Sequence, residues 1–231
     1  MIIHKKISSG SSVLDELLGG GFEPGVISTL YGEAGTGKTN ICILVARELA
    51  GQGKRVIFVD SEGGFSTERA AQLAFRNYKD ILKRIIILEP TSFEEQKMLF
   101  DQIADIAVGE KVSAIIVDSI VMLYRLKLGD RKDVYNTNRE LAKQLRILSE
   151  IARKKNLPVI VTNQVYADFK SGDVRMVGGN LLKYWSKCII KIEKVPGGIR
   201  KASIFKHRSL PEGRSVLFEI KERGLEEVKE S

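Results

Sequence analysis

The sequence contains little cysteine and no long hydrophobic run. Of its 231 residues only two are cysteines, Cys42 and Cys188. They lie far apart without a CxxC or His-rich companion, so they indicate neither a disulfide framework nor a zinc site, and both are expected to be buried small apolar side chains. No apolar run approaches the roughly 20 residues of a membrane-spanning helix, and residues 1–6 lack a signal peptide's apolar region and cleavage site. We therefore expect a cytoplasmic protein with no membrane partner.

Internal repeats and low-complexity linkers are also absent, so residues 1–231 are expected to form a single domain. Short apolar runs alternate with longer amphipathic ones, which is typical of an α/β fold with a mostly parallel sheet flanked by helices. A capping box at Ser92 and Glu95 opens a predicted helix that runs to about residue 108, and a second helix is predicted over residues 134–155. The predicted strands are residues 26–31, 56–60, 85–88, 114–118, 159–165, 188–194, 202–206, 216–221 and 225–228. The first five are expected to be parallel, and those around and after a turn at residues 196–198 to be antiparallel strands that finish the sheet.

Residues 32–39, with the sequence GEAGTGKT, fit the phosphate-binding pattern GxxxxGK[ST]. A β-prone segment precedes them and helical periodicity follows them, so the pattern lies in its required strand, loop and helix context. The glycines let backbone N–H groups curl around an anion, and the helix N-terminus adds partial positive charge. We therefore predict a nucleotide triphosphate on Gly32, Glu33, Ala34, Gly35, Thr36, Gly37, Lys38 and Thr39. Lys38 is expected to reach the β and γ phosphates, and the Thr39 hydroxyl to ligate Mg²⁺.

Polar residues at three further strand ends complete the predicted site. Asp118 ends an apolar strand, where a phosphate-loop protein places its Mg²⁺ partner, and Glu62 is the candidate base for an attacking water. Gln164 offers an uncharged amide to the γ-phosphate. A single strand-end acid is as often an exposed turn carboxylate, but their order around one phosphate loop favours a common site.

The net charge of +8 and the pI near 9.4 are compatible with a polyanionic partner. Residues 165–214 hold eleven Lys or Arg against four Asp or Glu, a net of +7, and the rest of the chain is nearly balanced. Two basic stretches, residues 124–133 and 166–179, are predicted as loops at the C-terminal ends of strands, where open α/β sheets bind ligands. The basic residues of these loops are Arg125, Lys127, Arg131, Lys132, Lys170 and Arg175. A third basic run follows a β-prone segment and could contact DNA phosphates; its residues are Lys206, His207 and Arg208. For the last three, the alternative is a solvated strand edge whose lysines discourage aggregation.

Taken together, several segments resemble the ATPase core of the RecA/RadA recombinases. The likeness covers almost the whole chain and is greatest to the archaeal RadB proteins, paralogs that consist of the core alone. The segments are residues 14–21, 32–39, 59–63, 117–119, 123–125, 162–165, 178–180 and 210–212. The resemblance implies a RecA-like P-loop NTPase core, ATP on residues 32–39, Glu62 as the hydrolytic base, Asp118 near Mg²⁺, Gln164 as the link to the second basic loop, and Arg69 against the adenine. It also implies that DNA lies along the two loops, at Arg125 to Lys132 and Lys170 to Arg175.

Departures from the recombinase pattern narrow the expected function. The family's helix-hairpin-helix domain and Phe-x-x-Ala segment are not found before the core, the second loop is shorter, and residues 206–212 replace the segment that caps ATP across a filament interface. We expect an ATP- and DNA-binding accessory of DNA repair and homologous recombination with at most weak, DNA-independent ATPase activity. The resemblance further implies no strand exchange, regulation of other enzymes that cleave branched DNA, and partners among single-stranded or branched DNA, recombinases and junction-cleaving nucleases. A stable filament is not expected, and a dimer is left open.

Two other functions are compatible with the phosphate loop. One is a KaiC-like signalling ATPase, which shares the opening residues 14–21 and need not bind DNA. The other is a DNA-dependent ATPase motor such as a hexameric helicase of the same fold. Residues 162–165 and the basic C-terminal third favour the recombination accessory.

Overall fold

The computed structural model describes residues 5–74, 77–129, 134–167 and 174–229. Its strands are β1 (Ile27–Gly32), β2 (Arg55–Asp60), β3 (Ile85–Leu88), β4 (Val112–Asp118), β5 (Val159–Ala167), β6 (Val174–Met176), β7 (Ser186–Lys194), β8 (Arg200–His207), β9 (Ser215–Lys221) and β10 (Gly224–Glu227). Its helices are α1 (Ser12–Leu17), α2 (Lys38–Gly51), α3 (Thr67–Ala74), α4 (Tyr78–Leu82), α5 (Phe93–Gly109), α6 (Met122–Gly129), α7 (Val134–Lys155) and α8 (Gly179–Trp185). Within these ranges no helix has both the length and the apolar character needed to cross a membrane.

The strands form one twisted path in the order β10-β9-β8-β7-β1-β5-β4-β2-β3, and β6 pairs with β5 outside this path. Strands β1 to β5 and β7 are mutually parallel along this path, and β8, β9 and β10 follow antiparallel to one another. The predicted fold class, a mostly parallel sheet with antiparallel C-terminal strands, is therefore confirmed. Strand β7 has both relationships, because it lies parallel to β1 and forms a hairpin with β8 across the turn Pro196–Gly198.

Helices cover both faces of the central sheet, which explains why its strands are continuous apolar runs. One core cluster joins α2 to the sheet through side chains such as Ile41 and Leu44. The other joins α5 and α7 to the opposite face through side chains such as Phe100 and Leu145. Both cysteines are buried and free, as predicted.

The predicted helices agree with the structure. Helix α7 has the predicted bounds, and Ser92 caps α5 by accepting a hydrogen bond from the Glu95 backbone N–H at 3.1 Å. The Glu95 carboxylate accepts from the backbone N–H of Thr91 at 2.8 Å, so the reciprocal half of the capping box reaches one residue further back than the usual motif.

The two predicted basic loops were wrong in part. Residues 122–129 form helix α6, whose apolar residues Leu123 and Tyr124 are buried in the core. In the second stretch, β5 continues to Ala167, and β6 pairs antiparallel with it. The short helices α1, α3, α4 and α8 were not predicted either.

The parallel strands bring the phosphate loop and three polar side chains to one edge of the sheet. Gly32 at the end of β1 is in register with Gln164 on β5, and Asp60 at the end of β2 is in register with Asp118 at the end of β4. Because parallel strands share one direction, these residues lie on the side where α/β sheets bind ligands.

Candidate nucleotide site

The phosphate loop joins β1 to α2 and needs its glycines for space as well as for conformation. Gly37 has φ +100°, and a β-carbon there would lie 2.5 Å from Ile220 Cδ1. A β-carbon at Gly32 would collide with the carbonyl oxygen of Ile192 on β7. The neighbouring strands thus pack directly against the loop backbone and hold it at the edge of the sheet.

Lys38 is buried beneath the loop, with 7% of the residue exposed. Its Nζ donates to the carbonyl oxygens of Gly32 at 3.0 Å and Glu33 at 2.8 Å. Burial lowers the pKa of Lys38, while the nearby carboxylates of Glu62 and Asp118 oppose that shift. The ammonium group is therefore positioned inside the loop, where a phosphate oxygen is expected to compete for it.

Asp118 has the geometry of a metal partner. The Thr162 hydroxyl donates to its Oδ1, but its buried Oδ2 has no hydrogen-bond partner among the described residues. The Thr39 hydroxyl and Asp118 Oδ2 lie 3.5 and 4.0 Å from the position that a Gly64 β-carbon would occupy. Burial raises the pKa of Asp118, against the opposing effect of the Thr162 and Thr39 hydroxyls.

The Thr39 hydroxyl and Asp118 Oδ2 suit Mg²⁺ better than a metal ion that takes all of its ligands from protein side chains. Within the described part of the chain, no group of three or more His, Cys, Asp or Glu side chains is arranged to hold a metal ion. Mg²⁺ commonly takes one or two protein oxygens and completes its shell with water and phosphate oxygens. A hydroxyl, an open carboxylate oxygen and the adjacent phosphate loop match that chemistry.

Glu62 lies on a turn that Asp60 holds in place. The Asp60 carboxylate accepts hydrogen bonds from the backbone N–H groups of Glu62 at 3.2 Å, Gly64 at 3.1 Å and Phe65 at 2.8 Å. The two oxygens of Glu62 each lie 2.9 Å from Gln164 Nε2. The structure thus brings together the predicted base and the predicted γ-phosphate contact.

Three consecutive residues of β5 contact three different parts of the site. Thr162 donates to Asp118, Asn163 Nδ2 donates to the Val177 carbonyl oxygen at 2.8 Å, and Gln164 donates to Glu62. The Val177 N–H in turn donates to the Gln164 carbonyl oxygen at 3.2 Å. The segment that follows β6 is therefore hydrogen-bonded to the same residues that face the phosphate loop.

These groups surround a cleft of about 460 Å³. Its lining residues are Ala34, Gly35, Gly37, Lys38, Thr39, Asn40, Glu62, Gln164, Arg200 and Ile220. Sequence reasoning missed Asn40, Arg200 and Ile220 as members of the site. For Arg200 a signal existed, because the turn at residues 196–198 predicts a hairpin whose first returning residues are Arg200 and Lys201.

Arg69 lies beside the cleft. Its Nε donates to the Asn40 side-chain oxygen at 2.7 Å, and its Nη atoms donate to the carbonyl oxygens of Lys221 at 2.7 Å and Glu222 at 2.8 Å. These bonds tie α3 to α2 and to the turn between β9 and β10. Contact between Arg69 and an adenine remains a prediction.

The candidate DNA-binding residues fall into three groups. Arg125 and Lys127 are exposed on α6. Arg131, Lys132 and Lys170 lie outside the described residues, as does the side chain of Arg175, whose backbone belongs to β6.

The third group, Lys206, His207 and Arg208, makes internal contacts. Lys206 Nζ donates to the Ser186 carbonyl oxygen at 2.9 Å and to that of Lys183, and Arg208 forms an ion pair with Glu23. His207 Nδ1 accepts from two backbone N–H groups of the following turn, each at 3.1 Å. These bonds give all three side chains a structural role, and their contact with DNA stays a prediction.

The sheet order and the phosphate loop define a RecA-like P-loop core. The sequence profile of the family described as Rad51 matches residues 2–228. A solved structure described as the RadB recombinase superposes with a TM-score of 0.82 at 37% identity, covering 96% of this chain and 100% of that one.

Two relatives are similar over their whole length. A DNA repair and recombination protein RadB from Methanococcoides burtonii is 46% identical over 223 residues, which cover 96% of this chain and 98% of that protein. The protein of the same name from Pyrococcus furiosus is 42% identical over 232 residues, covering 99% of each chain. The chain therefore belongs to the RadB proteins of the Rad51 family.

Proposed function

We propose that this chain binds ATP with Mg²⁺ at the phosphate loop and uses the bound nucleotide to set its affinity for DNA, as an accessory of DNA repair and homologous recombination. The observation that carries the proposal is the convergence of Lys38, Glu62 and Gln164 on one cleft. Asp118 lies close by, because its Oδ2 and the Thr39 hydroxyl are both near Gly64. The assignment to DNA repair and recombination comes from the names of the relatives. The loop amides and Lys38 would hold the phosphates, and Thr39 and Asp118 would hold Mg²⁺, which neutralises charge on the phosphate oxygens.

Hydrolysis is expected to be weak and independent of DNA. Glu62 can orient an attacking water only when its carboxylate is free to accept that water's proton. Both of its oxygens instead lie within hydrogen-bond distance of the Gln164 amide. A water that approaches Glu62 must share these oxygens with the Gln164 amide, which weakens the hold of Glu62 on the water and is our reason for proposing slow hydrolysis.

The same amide connects the nucleotide to the basic stretch around β6. A γ-phosphate would compete with Glu62 for Gln164, whose backbone is bonded to Val177. Movement there would reach the segment 166–179 that carries Lys170 and Arg175. We accordingly propose that this segment, α6 and residues 206–208 contact single-stranded or branched DNA.

The finer parts of the proposal rest on the sequence for the first two points below and on the family likeness for the others. They are a single domain over residues 1–231, a cytoplasmic location, no strand exchange, no stable filament, and an influence on recombinases or on nucleases that cleave branched DNA.

A titration of fluorescent DNA tests the function. Single-stranded and branched DNA are added with and without ATP and Mg²⁺ over a salt series, and phosphate release is measured in parallel. Salt-sensitive binding that depends on ATP, with little phosphate release, is the expected result. Nucleotide binding without DNA binding would favour a signalling ATPase, and strong stimulation of release by DNA would favour a motor.

Substitution of the phosphate-loop lysine tests the nucleotide site itself. Lys38→Ala should weaken ATP binding by at least about 100-fold, because it removes the buried cation that faces the phosphates. Lys79→Ala, an exposed lysine on α4, is the matched control. Isothermal titration calorimetry with ATP and Mg²⁺ measures both, and normal binding by the Lys38 variant would refute the assignment.

A further inference from the structure

The hairpin of β7 and β8 lies beside the phosphate loop, because β7 pairs with β1, the strand that leads into the loop. Strand β7 ends at Lys194, β8 begins at Arg200, and these two residues are paired in register. Lys194 Nζ lies 3.2 Å from the position that a β-carbon on Gly35 would occupy. The hairpin therefore brings two cationic side chains to the phosphate loop of the same chain.

Arg200 is held above the loop by neutral oxygens only. Its Nη1 donates to the carbonyl oxygens of Gly198 at 2.8 Å and Ile199 at 3.1 Å, and its Nη2 donates to that of Gly35 at 3.3 Å. Its Nε is buried without a hydrogen-bond partner, and within the described ranges no carboxylate lies within 4.0 Å of it. The guanidinium is thus hydrogen-bonded and oriented, but its positive charge is not paired.

The contacts that Arg200 and Lys194 make with the loop indicate which part of a nucleotide they would meet. Both lie against Gly35, two residues after Glu33, whose carbonyl oxygen accepts from Lys38 Nζ. Arg200 lines the same cleft as Lys38, Glu62 and Gln164. The loop amides cradle the α and β phosphates and the lysine reaches the β and γ phosphates, so cations that gather with Lys38 at this part of the loop lie toward the γ-phosphate. Asn40, which is bonded to Arg69, lies at the start of α2 and so marks the other end of the cleft.

The electrostatics of the cleft favour an additional anion there. Lys38, Lys194 and Arg200 converge on the loop: Lys38 Nζ bonds to the loop carbonyl oxygens, and Lys194 and Arg200 both lie against Gly35. Three neighbouring cations repel one another until an anion separates them. A guanidinium offers a planar fork of N–H donors that suits two oxygens of one phosphate group.

We propose that Arg200 binds the terminal phosphate of the nucleotide bound by its own chain, so that the cleft distinguishes ATP from ADP. The inference rests on the proposed function, because it takes the phosphate loop to be an ATP site. It adds one residue to that site: Arg200, on the hairpin of the same chain, would contact the third phosphate. Lys194 strengthens the effect through its charge.

Nucleotide affinities measured by calorimetry test this assignment. A non-hydrolysable ATP analogue and ADP, each with Mg²⁺, are titrated into the full chain and its variants. Arg200→Ala and Arg200→Gln should bind the ATP analogue at least about tenfold more weakly and bind ADP within about twofold of the unsubstituted protein, since only the analogue has a terminal phosphate to lose a charge-assisted contact. The Gln variant keeps hydrogen-bond donors for the carbonyl oxygens of the turn, so it controls for loss of those bonds. Circular dichroism checks that both variants are folded.

The control is Lys201→Ala, which removes a cation from the next position of β8, on the opposite face of the strand. It should leave both affinities within about twofold. Equal loss of analogue and ADP binding in the Arg200 variants, or no loss of either, would overturn the inference while leaving the ATP site intact. A protein that binds neither nucleotide before substitution would overturn the proposed function and this inference together.

Discussion

Asp60 and Asp118 end neighbouring strands in register, yet their surroundings give them different roles. Both are almost fully buried. Asp60 accepts three backbone hydrogen bonds and is saturated, whereas Asp118 keeps one oxygen without a partner among the described residues. A buried carboxylate oxygen without a donor costs stability, so its presence at Asp118 is explained by a ligand that the phosphate loop brings with it.

His207 is a second residue whose surroundings decide its role. Its Nδ1 accepts two backbone hydrogen bonds, which only the neutral ring can do. Burial lowers the pKa of His207; Glu23 opposes this shift, and Lys6 and Arg208 add to it. The folded protein therefore binds this proton more weakly than the unfolded chain, and the free energy of unfolding should fall as the pH drops through about 6.5, the unperturbed histidine value.

His207→Asn isolates that contribution. The Asn side-chain oxygen can accept the same backbone hydrogen bonds but does not titrate. Urea unfolding at pH 7.5 and pH 5.0 should show a smaller loss of stability for the variant than for the unsubstituted protein, because carboxylate titration is common to both. An equal loss of stability in the two proteins would show that protonation of His207 does not destabilise the folded protein.

At the level of elements, the turn after β2 depends on one carboxylate. Asp60→Ala should lower the free energy of unfolding by about 2–4 kcal/mol, because three backbone N–H groups lose a buried acceptor and a small cavity remains. Faster hydrogen exchange at the amides of Glu62, Gly64 and Phe65 should accompany the loss. Chemical denaturation and exchange measured by NMR report the two effects.

An exposed aspartate provides the control for this substitution. Asp80 on α4 has a side chain that is 71% exposed and pairs with Lys83 at the surface. Asp80→Ala should change stability by about 0.5 kcal/mol or less. A loss of stability in the Asp60 variant no larger than in the Asp80 variant would mean that the turn is held by other contacts.

Local patterns predicted the elements that carry the site, and long-range contacts account for what they missed. The phosphate loop, its strand and its helix are contiguous, so sequence alone located them. Helix α6 was misread because eight residues span about two turns and its basic side chains resemble those of a loop. Arg200 contacts Gly35 across 165 positions of the chain, and only the sheet order reveals that contact.

Across the whole molecule, the excess of positive charge overstates the cations that are free to bind DNA. Much of the excess lies in residues 165–214, but several of its side chains are engaged within the chain. Lys206 bonds to two carbonyl oxygens, Arg208 to Glu23, and Arg214 to the Glu16 carbonyl oxygen. Arg125 and Lys127 on α6, by contrast, are exposed and form no ion pair among the described residues. Position, more than net charge, therefore decides where DNA would bind.

Two double substitutions with the same change in charge separate position from net charge. Arg125→Ala with Lys127→Ala removes cations at the C-terminal edge of the sheet, and Arg153→Ala with Lys155→Ala removes exposed cations from the end of α7, which leads into the opposite edge. If α6 contacts two phosphates of single-stranded DNA, the first variant should lower the magnitude of the log–log salt slope by about 1.4 and weaken binding at low salt, because fewer counterions are released. The second variant should keep the slope of the unsubstituted protein. Fluorescence anisotropy over a salt series measures both slopes, and equal changes in the two variants would mean that DNA senses only the overall charge of the molecule.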